Sequence, residues 1–302
     1  MNIAELLSAE QVRRGVTLPP VREREGAIVS YRVILVGVLR EIGREAERSV
    51  VPAYRQASPL TQDAMVTDEA EWFESLKFAA AYAVAVAISA MRTLFNREGD
   101  QHAKRFLAAI KRATRVDLPS RAVTDVPAYE RMMRVSIERN ASLITSLGDD
   151  AVKRIEQQVY AARMSGLAAR RSVQSLRREI REGLNVSRSR ADLIASDQMA
   201  SLNSQLVEHR ARQTGIPKYL WNTRSDNRVR EAHAVLRNNV YAWGERTGAP
   251  SGGPPGSEVR CRCTPVPYMP GQSAAINSVE EQQRTEAGNR AAQRRIARRR
   301  RR

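Results

Sequence analysis

Apolar residues recur at helical spacing through most of residues 1–215, and this pattern restricts the chain to a mainly helical fold. Val152, Ile155, Val159 and Ala162, for example, fall three or four positions apart and therefore lie on one face of a helix. Aromatic residues make up only 5% of the chain, a composition that favours helices over sheets. The sequence predicts a long helical body joined by short connections.

Glycines, prolines and capping residues set the predicted helix ends. We expect helices over 30–51, from the N-cap Thr67 to about 100, over 102–115, and from 129 onwards with ends near Gly148, Gly166, Gly183 and Gly215. The apolar run 78–91 is fourteen residues long, whereas a bilayer span needs about 20. We therefore expect a buried core helix and no membrane span, and the N-terminus has no signal pattern.

The pattern changes after Gly215. The stretches 216–223, 238–244 and 259–270 are predicted strands, and 245–258 is a loop rich in Gly, Pro and Ser. The fold class is thus mainly α: an elongated helical body, a small C-terminal α+β module at about 185–270, and a basic tail that is disordered or conditionally helical. We divide the chain into regions 1–128, 129–270 and 271–302.

The net charge of +17 indicates a polyanionic partner. Eight arginines lie within residues 290–302: Arg290, Arg294, Arg295, Arg298, Arg299, Arg300, Arg301 and Arg302. Such a cluster neutralises phosphates by counterion release without reading sequence, and the absence of aromatic residues from the tail excludes base stacking. The alternative is a solvated tail without a specific role.

A charged stretch that begins at Thr223 contains the first candidate site residues. Thr223 to Asp226 fits the capping pattern of a helix start, and the helix would run to about residue 236. Asp226, Arg230 and His233 would then share one face. In the structural interpretation, an ion pair between Asp226 and Arg230 orders the start of this helix.

A metal site is the second interpretation. Cys261 and Cys263 are the only cysteines, and alternate residues of a strand point to the same side. His233 would add a third ligand and Asp226 a fourth, a donor set that suits zinc. Two cysteines at this spacing lie at the edge of what a disulfide spans, so we expect free thiols and a protein that folds in a reducing cytosol.

A nuclease is the third interpretation, with His233 as general base and Arg228 and Arg230 binding phosphate. The sequence contains no paired carboxylates, Gly-rich phosphate loop or Ser/His/Asp set that would strengthen it. The other histidines, His102 and His209, lie in polar helical surroundings and are expected at the surface.

Several motifs in fixed order resemble the Mu F-like family of phage minor head (head morphogenesis) proteins, over roughly residues 130–268. They are Arg190-Ala191 with Ile194-Ala195, Trp221 with Thr223, Asp226 with Val229, Pro254-Pro255, and Cys261-Arg262-Cys263. Many relatives have cysteines at the positions of Arg230 and His233 and a histidine just before Cys-Arg-Cys. This chain has neither, so the resemblance implies that Asp226, Arg230 and the packing of Trp221 and Trp243 hold the geometry even without metal.

The resemblance implies a structural protein of the virion, not an enzyme. Such a protein is expected to be assembled in the host cytoplasm and located at the portal vertex or in the head interior. The expected partners are the portal protein, the major capsid or scaffold protein, and double-stranded DNA. Two alternatives stay open: a nuclease or toxin-like effector built on the same C-terminal module, and a host nucleic-acid-binding protein unrelated to phage.

Overall fold

A computed structural model of the chain describes residues 2–56, 68–123, 126–164, 172–224, 226, 228–271 and 274–300, without the side chains of 68–70, 164, 274–281 and 300. The helices are α1 (Ala9–Arg14), α2 (Glu25–Glu45), α3 (Val51–Gln56), α4 (Asp68–Thr114), α5 (Val126–Met164), α6 (Val173–Gln213), α7 (Glu231–Ala234) and α8 (Ala274–Arg300). A π-helical turn, Ala46–Val50, joins α2 to α3, and 3-10 turns occupy Ile3–Leu6 and Ser120–Val123. The predicted fold class, mainly α with a small C-terminal α+β module, is confirmed. The N-cap predicted at Thr67 and the helix end predicted at Gly166 lie outside the described residues.

The chain divides into two compact units, each built from separate segments. Unit 1 comprises Met1–Glu25, Asn96–Arg134 and Ser196–Arg302, and unit 2 comprises Gly26–Phe95 and Val135–Ala195. Helices α4, α5 and α6 contribute residues to both units. The boundaries that the sequence suggests, after residues 128 and 270, stay a prediction.

Unit 1 contains a four-stranded antiparallel sheet in the order β1-β4-β2-β3. Its strands are β1 (Val16–Thr17), β2 (Lys218–Asn222), β3 (Val240–Ala242) and β4 (Thr264–Met269). Strands β2, β3 and β4 fall within the predicted strands. Strand β1 was not predicted, because two residues are too few to show an alternation of apolar and polar side chains. One face of β2 presents Tyr219 and Trp221, both 1% exposed, to the core of this unit.

Residues Ala274–Arg300 of the C-terminal tail form helix α8, which agrees with the helical alternative of the prediction. Helix α8 packs against α7 and β3 through small and polar side chains. Ala292 is fully buried, and Thr285 accepts a hydrogen bond from the Val240 backbone N–H (3.1 Å). Asn289 accepts one from the Tyr241 hydroxyl. Because these contacts use little apolar surface, a hydropathy pattern does not reveal the docked face.

Helix α4 runs without a break through Gly99, although the sequence suggested two helices separated near residue 100. The glycine is required for close packing: the Tyr129 hydroxyl lies where a Cβ on residue 99 would be. The Gly99 carbonyl also accepts a hydrogen bond from Arg210 (2.7 Å). In the same way, a Cβ at Gly148 would meet Val84 at 2.8 Å, and one at Gly183 would meet the Gln158 side chain at 2.6 Å, inside continuous helices.

We expect Gly99→Ala to lower the free energy of unfolding by about 1–3 kcal/mol, because the added methyl group collides with Tyr129. Combining it with Tyr129→Phe, which removes the colliding oxygen, should recover part of the loss as a non-additive term in a double-mutant cycle. Urea denaturation measures both. Gly37→Ala in α2 is the matched control, since no atom lies within 4 Å of its new Cβ. It should stabilise by up to about 1 kcal/mol through helix propensity. Equal effects at residues 37 and 99 would contradict the packing argument.

The apolar stretch of α4 is only partly buried, whereas the sequence predicted a buried core helix. Ala80, Ala83 and Ala87 are buried in unit 2, whereas Phe78 and Tyr82 are 77% and 65% exposed. Within α4, the segment Glu71–Thr114 is long and apolar enough to cross a membrane by length and composition alone, and 39% of its most apolar window is buried.

Candidate metal centre

Three buried side chains of unit 1 bring their ligand atoms together. His233 lies on α7, and Cys261 and Cys263 lie on the segment that leads into β4. The Nδ1 atom of His233 is 3.6 Å from the Sγ atom of Cys261 and 3.7 Å from that of Cys263. All three ligand atoms lie within 4.8 Å of one another, and the side chains are at most 5% exposed. The three side chains could therefore hold a metal ion.

The spacing of these donors fits zinc. Zinc binds thiolate sulfur at about 2.3 Å and imidazole nitrogen at about 2.05 Å, so a nitrogen–sulfur edge of its tetrahedron is about 3.6 Å long. The two observed distances, 3.6 and 3.7 Å, match this edge. Among the described residues, no fourth His, Cys, Asp or Glu joins the group, so one coordination position would have no protein ligand. Such an ion would tie α7 to the segment before β4.

Glu258 supports His233 from the other side of the imidazole ring. The His233 Nε2 atom donates to Glu258 Oε2 (3.1 Å), and Arg230 donates to the same oxygen (2.8 Å). The other Glu258 oxygen accepts from the Ser251 backbone N–H (2.8 Å). A carboxylate on the far nitrogen of a ligating histidine fixes the ring and its tautomer. The arrangement therefore presents Nδ1 to the two thiols.

Without metal, the same groups form an alternating chain of charges. Burial alone would lower the pKa of His233, but its hydrogen bonds to Cys261 and Glu258 outweigh burial and raise this pKa to about 9. Burial would raise the pKa of Glu258, but hydrogen bonds from His233 and Ser251 lower it to about 2. The hydrogen bond from Cys263 chiefly lowers the pKa of Cys261, whereas the pKa of Cys263 is raised. The thiolate, imidazolium, carboxylate and guanidinium groups compensate one another.

The helix predicted from Thr223 is much shorter, which changes the predicted ion pair. Helix α7 begins at Glu231 after the extended residue Arg230, and Thr223 is buried in irregular chain. Asp226 accepts from the Arg228 backbone N–H (3.3 Å) and pairs with Arg262. Because residues 226 and 230 are not on one helix, the predicted pair of Asp226 with Arg230 does not form, and Arg230 pairs with Glu258 instead. Asp226 is also not a member of the metal-ligand group.

Aromatic rings cover the site and anchor the sheet below it. Trp221 packs edge-on against the His233 ring with centroids 5.3 Å apart. Trp243 packs against Tyr219 at 4.6 Å and donates its indole N–H to the Ile216 carbonyl (2.9 Å). These contacts bury His233 and position α7 over β2.

The described geometry does not favour His233 as a general base. Its side chain is 2% exposed, and both ring nitrogens have partners. Arg230 is occupied by Glu258, and only Arg228 of the proposed phosphate ligands is exposed. His102, predicted at the surface, is also buried at 1% exposure, where the Arg210 guanidinium contacts its Nδ1 atom (2.8 Å).

The site lies within a stretch that matches a known family. Residues 153–266 match the family described as phage Mu protein F like protein. This stretch, the Mu F-like domain of the chain, is similar to that family. An uncharacterized protein of Haemophilus influenzae is 23% identical over 279 residues, a match that covers 89% of this chain and 59% of that relative. The chain thus spans less than two thirds of the relative's length, and no solved structure matches the chain significantly.

Two acidic residues of the Mu F-like domain were not among the predicted site residues. Glu258 stands three residues before Cys261, at the end of the predicted loop 245–258, and its contacts with Arg230 and His233 bridge 28 and 25 residues of chain. Asp197 on α6 accepts from the Arg260 backbone N–H (2.8 Å), and Arg260 has a left-handed φ of 58°. Asp197 thereby holds the turn that directs Cys261 towards His233. No local pattern links residue 197 to this turn, 63 positions away.

Proposed function

We propose that the chain is a phage minor head protein that acts in head morphogenesis as a structural component and not as an enzyme. The Mu F-like domain at residues 153–266 carries this proposal. The proposed place is the virion, at the portal vertex and in the capsid interior. The proposed partners are the portal protein, the major capsid or scaffold protein and double-stranded DNA. Zinc is the proposed cofactor, with His233, Cys261 and Cys263 as its ligands.

Helix α8 supplies the proposed DNA-binding surface. Arg290, Arg294 and Arg298 follow one another at intervals of four, and Arg295 and Arg299 repeat the spacing one position further on. All five are exposed. Residues four apart on a helix lie about 6 Å apart, so the guanidinium groups form a continuous basic surface. The side chain of Arg300, and all of Arg301 and Arg302, lie outside the described residues.

The docking of α8 makes this surface rigid, which favours binding. Glu286 and Glu231 pair with Arg290 (3.5 Å) and Arg295 (3.0 Å), respectively. We therefore expect Arg294, Arg298 and Arg299 to contribute most to phosphate contacts. A surface that is already helical loses less conformational entropy on binding than a disordered tail. Contacts confined to phosphates carry no sequence information, so binding is independent of sequence.

We expect replacement of Arg294, Arg298 and Arg299 by glutamine to weaken the binding of a short DNA duplex about 30-fold, because phosphate contacts dominate the affinity. The slope of log K against log salt should become shallower by up to about 2.7, at about 0.9 per lost contact. Fluorescence anisotropy across a salt series, on two unrelated duplex sequences, measures both quantities.

The matched control removes three exposed arginines of α5, namely Arg131, Arg134 and Arg139. It lowers the net charge by the same amount and should change the slope much less. Equal losses in both variants would assign DNA binding to the net charge and not to α8. Unchanged binding in the α8 variant would contradict the DNA-binding part of the proposal.

A further inference from the structure

Helix α4 presents an uncharged surface that unit 2 leaves exposed. Between Lys77 and Arg92, the residues that face away from the core are Phe78, Ala81, Tyr82, Ala85, Val86 and Ser89. Phe78, Tyr82 and Val86 are 77%, 65% and 51% exposed. Large apolar side chains that lie contiguously on a protein surface mark an interaction site.

The exposed residues repeat with the spacing of a two-helix seam. Steps of three and four residues connect Ser75, Phe78, Tyr82, Ala85, Ser89 and Arg92, all of them exposed. Apolar or small residues that alternate at these steps form the contact line of a coiled coil. The line extends over seventeen residue steps from 75 to 92, or about 26 Å at 1.5 Å per step. One partner helix can cover it completely.

We propose that α4 of a second copy of this chain covers this seam in an antiparallel pair. An antiparallel twofold axis between residues 83 and 84 places Phe78 opposite Ser89 of the second copy and Tyr82 opposite its Ala85. Each large side chain thus meets a small one. Large residues opposite small ones interdigitate without voids or overlap, as a packed interface requires.

The charges at the two ends of the seam select the same orientation. Glu71 and Glu74 lie at its N-terminal end and Arg92 at its C-terminal end, and all three are exposed. In the antiparallel pair, Arg92 lies opposite Ser75 and next to Glu74 of the other copy. A parallel pair would place Phe78 against Phe78 and Arg92 against Arg92, so like charges would repel. Charge and side-chain size therefore both favour an antiparallel second copy.

Disulfide crosslinking of the full chain tests the register. One preparation carries Phe78→Cys and the other Ser89→Cys, and the two are mixed and oxidised mildly. Antiparallel pairing brings these two positions together, so the mixture should crosslink while each variant alone stays uncrosslinked. Two copies of residue 78 would lie about 16 Å apart along the antiparallel pair, since eleven residues separate 78 from 89. The wild-type protein is the control for crosslinking through the native cysteines Cys261 and Cys263, which are buried.

Sedimentation equilibrium tests the association itself. Wild type should form dimers, and Tyr82→Arg should raise the dissociation constant about tenfold or more. Arg92→Glu should weaken the dimer, and adding Glu74→Arg should restore it. Val33→Arg on α2 is the matched control, because Val33 is an exposed apolar residue (63%) outside the seam. Circular dichroism checks that each variant is folded.

Three results would overturn the proposal. The first is a wild-type monomer at all concentrations. The second is crosslinking within each single variant but not in the mixture, which indicates parallel pairing. The third is a monomer that binds vesicles of neutral phospholipid through Tyr82, which would assign the apolar surface to a membrane. Loss of DNA binding in the α8 variant affects none of these outcomes, so the two proposals fail independently.

Discussion

Replacing Cys263 by serine is expected to lower the affinity for zinc by about 1000-fold or more, because one of three protein ligands is lost. The wild-type protein should bind one zinc ion per chain. In it, the His233 Nδ1 atom lies at the nitrogen–sulfur distance of a zinc tetrahedron from both thiols. Competition with a chromophoric chelator measures the affinity, and metal analysis after gel filtration measures the stoichiometry.

The pH dependence of zinc binding gives a second readout of the same site. Zinc requires a deprotonated His233 Nδ1 and thiolates, so binding releases protons. The pKa of His233 is raised to about 9 and that of Cys263 is raised as well, so both groups hold protons at neutral pH. The apparent affinity should therefore increase with pH between 6 and 9, by about tenfold per unit for each proton released.

Asp226→Asn is the matched control for the cysteine variant. The sequence suggested Asp226 as a fourth ligand, but the structure pairs it with Arg262 outside the ligand group. This variant should retain zinc with nearly wild-type affinity. Much less than one equivalent of zinc in wild type would exclude a metal site. Loss of zinc in Asp226→Asn would instead support the four-ligand site that the sequence suggested.

Periodicity predicted the helical body well, because the spacing of apolar residues reflects burial directly. The predicted breaks inside α4, α5 and α6 were wrong for one shared reason. Gly99, Gly148 and Gly183 look like helix ends in sequence, but each lies where a neighbouring side chain approaches the helix backbone. Only the tertiary neighbour distinguishes a packing glycine from a terminal one. Gly215 also has a close neighbour, the Asn2 side chain, but its left-handed φ of 74° and the hydrogen bond from its N–H to the Arg212 carbonyl end α6 as predicted.

The candidate site was predicted in part for a similar reason. Cys261, Cys263 and His233 were recognisable because few other residues can act as soft or imidazole ligands in this chain. The electrostatic partners were not recognisable. The pairing of Asp226 with Arg230 depended on a helix that starts too late to hold them together. Arg230 instead reaches Glu258, 28 residues further along the chain, and no local spacing rule reports such a contact.

Glu258→Gln is expected to lower the free energy of unfolding of the chelator-treated protein by about 2 kcal/mol. Removing one member of a buried ion pair costs about 3–5 kcal/mol, and the value is lower here because the Arg230 side chain is 34% exposed. The glutamine keeps an oxygen for the Ser251 N–H, leaves Arg230 without its Glu258 counter-charge and removes the carboxylate partner of His233. Urea denaturation at several pH values measures the loss.

The sign of each pKa shift defines the pH range of this effect. The pKa of Glu258 is lowered from 4.5 to about 2, so its contribution is complete above pH 4.5 and is lost as the pH falls towards 2. The pKa of His233 is raised from 6.5 to about 9, so its contribution is complete below pH 6.5 and is lost as the pH rises through 9. The stability difference between wild type and Glu258→Gln should therefore be largest between pH 4.5 and 6.5.

Glu231→Gln is the control that compares this buried network with an ordinary surface ion pair. Glu231 pairs with Arg295 at 3.0 Å, but its side chain is 80% exposed. Solvent screens such a pair, so the variant should change stability by less than about 0.5 kcal/mol, with little dependence on pH. A pH-independent loss in Glu258→Gln would mean that Glu258 acts through packing or its bond to Ser251. A loss that follows the pH range of His233 would show that the charge chain stabilises the Mu F-like domain when no metal is bound.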